Sequence, residues 1–432
     1  MIKKLTATGA VALIVLCGTA RPARAQSNVE QNAGIQFDFL SPGARSLALG
    51  GAFTVADDAT AAFTNPSGLR EVSKREFSFE GRIRGFETPF TLRGHAFGSP
   101  SGQGVDNIDG LVDGTSSKTV GGLSFASFVY PRNKWRIAGY RHEVARFKSD
   151  ITTEGAFIGT AGARLLPVNG TLELTVVDYG VSGAYNLTPQ VTVGGGIVVY
   201  DSSFDSTMNR YSLPASPTAP AVYTQVANTQ KQNGDGNDVG VNVGVTVEPS
   251  SAVRIAAVYR RGGSLDVPVR NTGSANEVLD SQTGKFKVPD VFSLGFRAGA
   301  GALTVSADYT RVQYSQLTDG LVVVAFSPGS PTPGNSDYVI DDGNEFHIGA
   351  QYFNPNWKAP VAFRGGAWYD PDHALLYTGQ DPGFQTIFRN RDENRWHYAF
   401  GAGFGVGQVE LNVGVDLSKL MNTTSISTVI RF

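Results

Sequence analysis

The sequence predicts an all-β fold: a transmembrane antiparallel β-barrel of about 14 strands preceded by a compact N-terminal segment. Three observations carry this prediction. Apolar and polar residues alternate with a period of two along most of the chain. Short turns and long polar segments follow one another with near regularity. The chain ends on an aromatic residue that closes an alternating strand.

Composition suits the architecture. Of 432 residues 41% are apolar, 17% charged and 10% aromatic, and 52 are glycine, a balance that favours strands and turns over helices. Beyond the N-terminus no apolar stretch is long enough for a membrane helix. The net charge of -2 argues against a nucleic-acid partner.

Residues 1–25 read as an export signal: Lys3 and Lys4 precede the apolar run AVALIVLCG, and Ala23-Arg24-Ala25 supplies a cleavage site before Gln26. Cys17, the one cysteine, lies in that run after Leu16, which is not the small residue that lipidation requires. The mature chain is therefore expected to hold neither a disulfide nor a thiol-ligated metal.

Residues 26–72 do not alternate, and their Ala, Leu and Phe content with low charge disfavours disorder. The stretch ALGGAFTVADDATAAFTNPSGL, residues 48–69, reads as one or two short helices closed by the turn Asn65-Pro66-Ser67-Gly68. Asp57 and Asp58 read as helix caps or as partners of a wall arginine.

Residues 73–432 read as the barrel, with no second domain. Val239, Val241, Val243, Val245 and Val247 alternate with polar or small residues, as do Leu303 to Thr310 and Val409 to Asp416. Short turns are expected at 131–134, 186–190, 248–252, 299–302, 354–360 and 405–408. Long outer segments fall near 86–120, 148–170, 205–237, 266–288, 315–343 and 371–393, and SKLMNT is a short exception. A closed barrel leaves no strand edge, which hydrocarbon requires. Tyr130, Trp135, Tyr185, Tyr352, Trp357, Phe404 and Phe432 fall near the short turns, where amphipathic rings meet a headgroup zone. The ending TSISTVIRF, with Phe432 last, resembles the signal by which bacterial outer-membrane barrels engage their barrel-assembly machinery.

The segment AGIQFDFLSPGARSLALGGAFTVADDATAAFTNPSGL, residues 33–69, resembles the hatch of the FadL/TodX family of outer-membrane transporters for long-chain fatty acids and other hydrophobic compounds. The family pattern ends in Asn-Pro-Ala, so Ser67 departs from it. VPDVFSLGFRAGAGALTVSADYTRV, FHIGAQYF with VAFRGGAWYDPD, and WHYAFGAGFGVGQVELNVGVDLS are similar to the family's C-terminal hairpins. The resemblance implies fourteen strands, the role of a hatch, or plug, in the lumen for the N-terminal segment, and location in the bacterial outer membrane. It also implies passive uptake of a lipophilic ligand: capture outside, a pocket beside a movable hatch, and lateral exit near a kinked strand. Two departures stand out. Several residues precede AGIQF, and the strand near 135–147 offers Gly139 but no proline for a kink.

Candidates for a carboxylate head are Arg82, Arg84, Arg254, Arg260, Arg297 and Arg364, each of which could instead pair with a lumenal acid such as Glu80, Asp238 or Glu345. Phe128, Tyr200, Phe353 and Trp368 are candidates for a tail groove, and Phe37 and Phe39 for ligand contact from the hatch. The histidines at 95, 142, 347, 373 and 397 are scattered and form no catalytic grouping. DPDH (370–373) and NGDGND (233–238) read as solvated turns, so no metal, cofactor or enzyme activity is expected. The chain is expected to act as a monomer. The rival function is that of a PorV-like outer-membrane scaffold or secretion partner, since such proteins carry a similar hatch.

Overall fold

The computed structural model describes residues 33–39, 41–93, 111–153, 157–158, 163–164, 167–212, 223–272, 277–319, 337–380 and 382–432. The expected export signal, its cleavage after Ala25 and His95 lie outside these residues.

Strand β1, Glu76–Arg93, shows which side is wet. Phe77, Phe79 and Ile83 are 39%, 45% and 59% exposed, while Glu76, Ser78, Glu80 and Arg82 between them are buried. A soluble sandwich would have the opposite arrangement. A surface that is apolar outside and polar inside fits a strand with lipid on one face and a lumen on the other. Val239, Val241 and Val243, and Val409 and Val413, are likewise exposed.

The strands that follow are β2 Leu111–Arg132, β3 Trp135–Thr153, β4 Val168–Asn186, β5 Val191–Tyr211, β6 Val226–Ser250, β7 Val253–Arg261, β8 Val291–Ala300, β9 Leu303–Val312, β10 Gly343–Asn354, β11 Val361–Asp370, β12 Arg395–Val406, β13 Val409–Leu417 and β14 Met421–Arg431. Each pairs antiparallel with its sequence neighbours, and β14 returns to β1 with Arg431 opposite Glu76, so fourteen strands close the ring. That is the number expected from the alternation. An outer hairpin, Ser264–Thr272 with Val278–Lys287, lies between β7 and β8 and pairs with the outer part of β6.

Several segments expected as loops are strand. The ladder of β1 and β2 continues to Arg93 opposite Leu111, and β5 pairs with β6 as far as Tyr211. Polar side chains on both faces mask the alternation there. Outside the membrane, water on both faces lets a ladder continue without an apolar stripe.

Tyr130, Trp135, Tyr185, Tyr352, Trp357, Phe404 and Phe432 are all exposed near the short-turn end. Trp135 meets Tyr185 at 5.4 Å and Phe77 meets Phe432 at 5.7 Å between ring centroids. This is the aromatic girdle of a membrane barrel.

Candidate transport site: plug, seam and lumenal arginines

Residues 33–72 thread the lumen from the long-loop end to the short-turn end. They form two short helices, α1 Ala44–Ala48 and α2 Ala61–Thr64, and a 3-10 turn, Pro66–Glu71. The helices are built from small residues because the wall comes close. A Cβ on Gly414 would lie 2.3 Å from the Ala44 carbonyl oxygen, and one on Gly366 would lie 2.4 Å from the Leu49 carbonyl carbon.

So short a plug leaves many backbone groups unpaired, and wall side chains serve them. The Gly43 amide donates to Glu80 at 2.8 Å and the Thr54 amide to Asp308 at 2.6 Å. Ser182 donates to the Ala62 carbonyl at 2.6 Å, Arg260 to the Thr64 carbonyl at 3.0 Å and Arg82 to the Ser41 carbonyl at 2.9 Å.

The polar residues of the 48–69 stretch each hold one of these joints. Asp57 accepts from Arg45 at 2.6 Å and from Arg297 on β8. Burial pushes its carboxyl up, but the two guanidiniums override this and hold it well below the usual carboxylate range. Asp58 accepts from the Thr60 amide at 2.9 Å and from its hydroxyl at 2.5 Å, closing the turn ahead of α2, which has no side-chain cap. Asn65 donates to the Thr54 carbonyl at 2.9 Å and accepts from the Ser67 hydroxyl at 2.7 Å. Ser67 in turn meets the Thr246 hydroxyl on β6 at 2.7 Å. Gly194 and Gly244 admit the turn: a Cβ on Gly194 would lie 2.3 Å from the Ser67 nitrogen, and one on Gly244 2.0 Å from the Asn65 side-chain oxygen. Gly68 faces the Ala56 carbonyl, where a Cβ would lie at 2.4 Å, and Pro66 starts the 3-10 turn.

Four of the six candidate arginines are tied down. Arg82 pairs with Glu80 at 2.8 Å. Arg254 bridges Glu248 and Glu71 near the short-turn end. Arg297 pairs with Asp57, and Arg364 donates to Gln351 and Asn412, each at 2.7 Å. The other two have no carboxylate partner among the described residues. Arg260 reaches only the Thr64 carbonyl and the face of Phe63, at 5.1 Å. Among the described residues the Arg84 side chain has neither ion pair nor hydrogen bond, and its Nε is buried; the carboxylates of Asp38, Glu80 and Glu143 act on it from beyond contact distance.

Each of these two arginines lines a small lumenal cavity. One, of about 30 Å³, lies among Phe37, Arg84, Phe86, Ala145, Arg146 and Phe147. The other, of about 50 Å³, lies among Phe39, Leu47, Arg260, Tyr314, His347 and Trp368. These volumes hold a few waters each, so neither cavity holds an acyl chain in this structure. Phe37 sits in an aromatic cluster, 5.8 Å from both Phe147 and Phe286, and Phe39 lies 6.1 Å from Tyr314.

The wall beside the first cavity is incomplete. β2 pairs with β3 from Arg132 opposite Trp135 to Phe125 opposite His142, and there the ladder stops. Outward of that point, among the described residues, β2 pairs only with β1 and β3 only with β4. The register slips between Glu80 and Gly81 on β1 and between Glu143 and Ala145 on β3, irregularities of the kind that bend a strand. Side chains bridge the seam: Arg141 donates to the Leu123 carbonyl, Arg146 to the Gly121 carbonyl at 3.1 Å, and Ser116 accepts from the Asp150 amide at 3.0 Å. Gly139 pairs normally with Phe128, so the irregularity lies a turn of the pleat further on than the residue the sequence singled out.

Residues 167–425, more than half of the chain, match the family model described as outer membrane protein transport protein (OMPP1/FadL/TodX). The chain belongs to the FadL/TodX family. It is a family of outer-membrane transport channels, not of enzymes. The FadL/TodX fold extends over nearly the whole chain. A crystal structure of a Pseudomonas aeruginosa FadL homologue is 13% identical, covers 93% of this chain and 100% of its own, and superposes with a TM-score of 0.63. The Pseudomonas putida toluene transporter TodX is 16% identical, with 91% and 99% covered and a TM-score of 0.59. The Ralstonia pickettii toluene transporter TbuX is 18% identical, with 91% and 99% covered and a TM-score of 0.56. No curated protein sequence matches the chain.

Within this FadL/TodX barrel the aromatic candidates separate. Phe128 shares the lipid-facing side with Phe77, 4.7 Å away, and does not line the lumen. Phe353 has lumenal parity but is 41% exposed at the short-turn rim. Tyr200 points inward and fills the space left by Gly240 and Gly263. Trp368 points inward, donates to Asp416 at 2.9 Å and stacks on His397 at 3.9 Å.

DPDH is not a solvated turn. Asp370 and His373 are buried, and with Asp38 they bring their ligand atoms within 4.8 Å of one another. The scattered histidines hid this grouping because Asp38 lies more than three hundred residues before Asp370 and His373. The alternating parity of Asp370, Arg395, His397 and Asp416 at the outer strand ends was the available signal.

Proposed function

We propose that this protein takes up amphiphiles with an apolar tail and an anionic head, long-chain fatty acids being the model ligand, by passive movement past the N-terminal plug and out through the β2–β3 seam. One arrangement carries the reading: a cavity holding the unpaired Arg84 and the rings of Phe37, Phe86 and Phe147 is bounded by Ala145 and Arg146 of the unladdered stretch of β3. The buried Nε of Arg84 has no hydrogen-bond partner among the described residues, which is costly, and a carboxylate head supplies the missing acceptor. Each methylene leaving water adds about 0.8 kcal/mol, so the tail supplies the affinity without specific contacts. The plug acts as a hatch. Its joints are mostly single hydrogen bonds, each worth about 0.5–1.5 kcal/mol, so ligand binding can shift it.

The toluene transporters TodX and TbuX support a hydrophobic ligand, and the free arginines favour one with a charged end. The near-filled lumen would equally suit a PorV-like scaffold, but a scaffold has no need of an unpaired wall segment beside an arginine whose Nε lacks a hydrogen-bond partner among the described residues.

The test is mass spectrometry of lipids released from protein purified from native membranes. Fatty acids or related anions are expected, depleted relative to neutral species in Arg84→Gln. Deleting residues 33–69 is expected to raise permeability. A protein that yields no amphiphile, and whose permeability is unchanged by the deletion, is a scaffold.

A further inference from the structure

We propose that Asp38, Asp370, His373 and His397 form a site for one divalent transition ion of the zinc class, which clamps the N-terminal segment to the outer end of the barrel wall. The residues converge from three places. Asp38 lies in the segment ahead of α1, Asp370 ends β11 with His373 just beyond it, and His397 lies near the start of β12.

The two imidazoles are set up alike. His373 has Nδ1 within 2.8 Å of the Pro371 carbonyl oxygen, and His397 has Nδ1 within 2.6 Å of Asp416. Each therefore has one nitrogen oriented by a backbone or carboxylate oxygen, as in metal-bound histidines, and turns the other toward a carboxylate, Asp38 for His373 and Asp370 for His397. Asp38, Asp370 and His373 form the tight cluster, and His397 adjoins it through Asp370. Among the described residues both Nε2 atoms are buried without a hydrogen-bond partner. They face carboxylates at distances too long for a hydrogen bond: His373 Nε2 is 4.0 Å from Asp38 and His397 Nε2 is 3.8 Å from Asp370. Metal bonds of about 2.0–2.2 Å place neighbouring tetrahedral ligand atoms about 3.3–3.5 Å apart. The gaps between the Nε2 atoms and the carboxylates exceed that spacing by only fractions of an ångström.

Charge points the same way. Three buried carboxylates, Asp38, Asp370 and Asp416, face one guanidinium, Arg395, which contacts Asp370 and lies 3.4 Å from Asp38. Within contact distance the three carboxylates are two positive charges short, Arg84 facing Asp38 only across the cavity between them. Two protonated imidazoles would supply them, but only by burying two N–H groups that reach no acceptor. One divalent ion supplies both and gives each Nε2 lone pair a partner. Imidazole with carboxylate suits Zn²⁺ and its first-row neighbours rather than Ca²⁺ or Mg²⁺. Asp370 shares its carboxylate between the ion and Arg395.

The experiment uses the full chain in detergent, stripped with chelator and titrated with Co²⁺, with folding followed by heat-modifiable gel migration. One Co²⁺ per chain is expected, with the intense visible bands of a four-coordinate site, displaced by Zn²⁺. Affinity is expected to fall at least tenfold in His373→Ala and in His397→Ala but to be unchanged in His347→Gln. X-ray absorption at the zinc edge of the unaltered protein is independent of how any variant folds. Two imidazoles in a first shell of nitrogen and oxygen are expected. A six-oxygen shell, no stoichiometric Co²⁺ on folded protein, or binding that persists in the double histidine variant would overturn the proposal.

Discussion

Ser67 stands where the family pattern has alanine, and its hydroxyl is used twice. It donates to Asn65 within the turn and meets Thr246 in the wall. Replacing it with alanine leaves both partners buried, with an expected loss of about 1–3 kcal/mol at that joint. Faster amide exchange over residues 61–71, with the barrel ladder unaffected, would be its signature. Asp57 gives the plug a pH dependence. Its folded carboxyl is held below the usual range by Arg45 on α1 and Arg297 on β8. The stabilisation is therefore complete above the unfolded value of about 3.9 and is lost as pH falls below it. Leak conductance in planar bilayers is expected to stay low at neutral pH and rise on acidification below about pH 4. In Asp57→Asn it is expected to be raised already at neutral pH. The sequence named Asp57, Asn65 and Ser67 because acids and turn formers are locally conspicuous. It left each arginine open between ligand and ion pair: Arg82 pairs with Glu80 two residues away, but a partner such as Asp57, 240 residues from Arg297, has no local signature.

At the scale of elements, the informative feature is a ladder that ends early. β2 and β3 are joined by a tight turn and begin as an ordinary hairpin, then part after Phe125 and His142. In hydrocarbon an unpaired edge is costly, and here guanidiniums and hydroxyls occupy part of it. A disulfide across the seam, in Ser116→Cys with Asp150→Cys, is expected to block release of ligand into the membrane while leaving capture intact. Reductant should restore release. Uptake that is insensitive to the crosslink would mean that the ligand leaves by another route. The sequence placed β3 and suggested Gly139 for its kink. The break lies instead where the register slips, beside Val144, a residue with no backbone peculiarity of its own. Register is a property of two strands together, so one strand's composition does not disclose it.

For the whole molecule, the arrangement of oil outside and polar groups inside makes a direct prediction. The only cysteine, Cys17, lies in the expected export signal, so introduced cysteines can be labelled singly. Probes at Val241→Cys and Leu411→Cys are expected to report a lipid environment, whereas one at Ser425→Cys, buried on the opposite face, is expected to be shielded from lipid quenchers. Equal quenching at all three positions would contradict the barrel's orientation of faces.

The sequence by itself determined the strand count, the closed ring, the side facing lipid and the existence of a compact segment ahead of the first strand. These follow from period-two alternation and from the requirement that no backbone edge meet hydrocarbon, both of which are written locally and repeated fourteen times. Tertiary structure alone decided which arginines are free, where the wall is unladdered, and that Asp38, Asp370, His373 and His397 converge. Those are relations between residues far apart in the chain, fixed only when closure of the ring brings the outer ends of β11 and β12 against the segment that threads it.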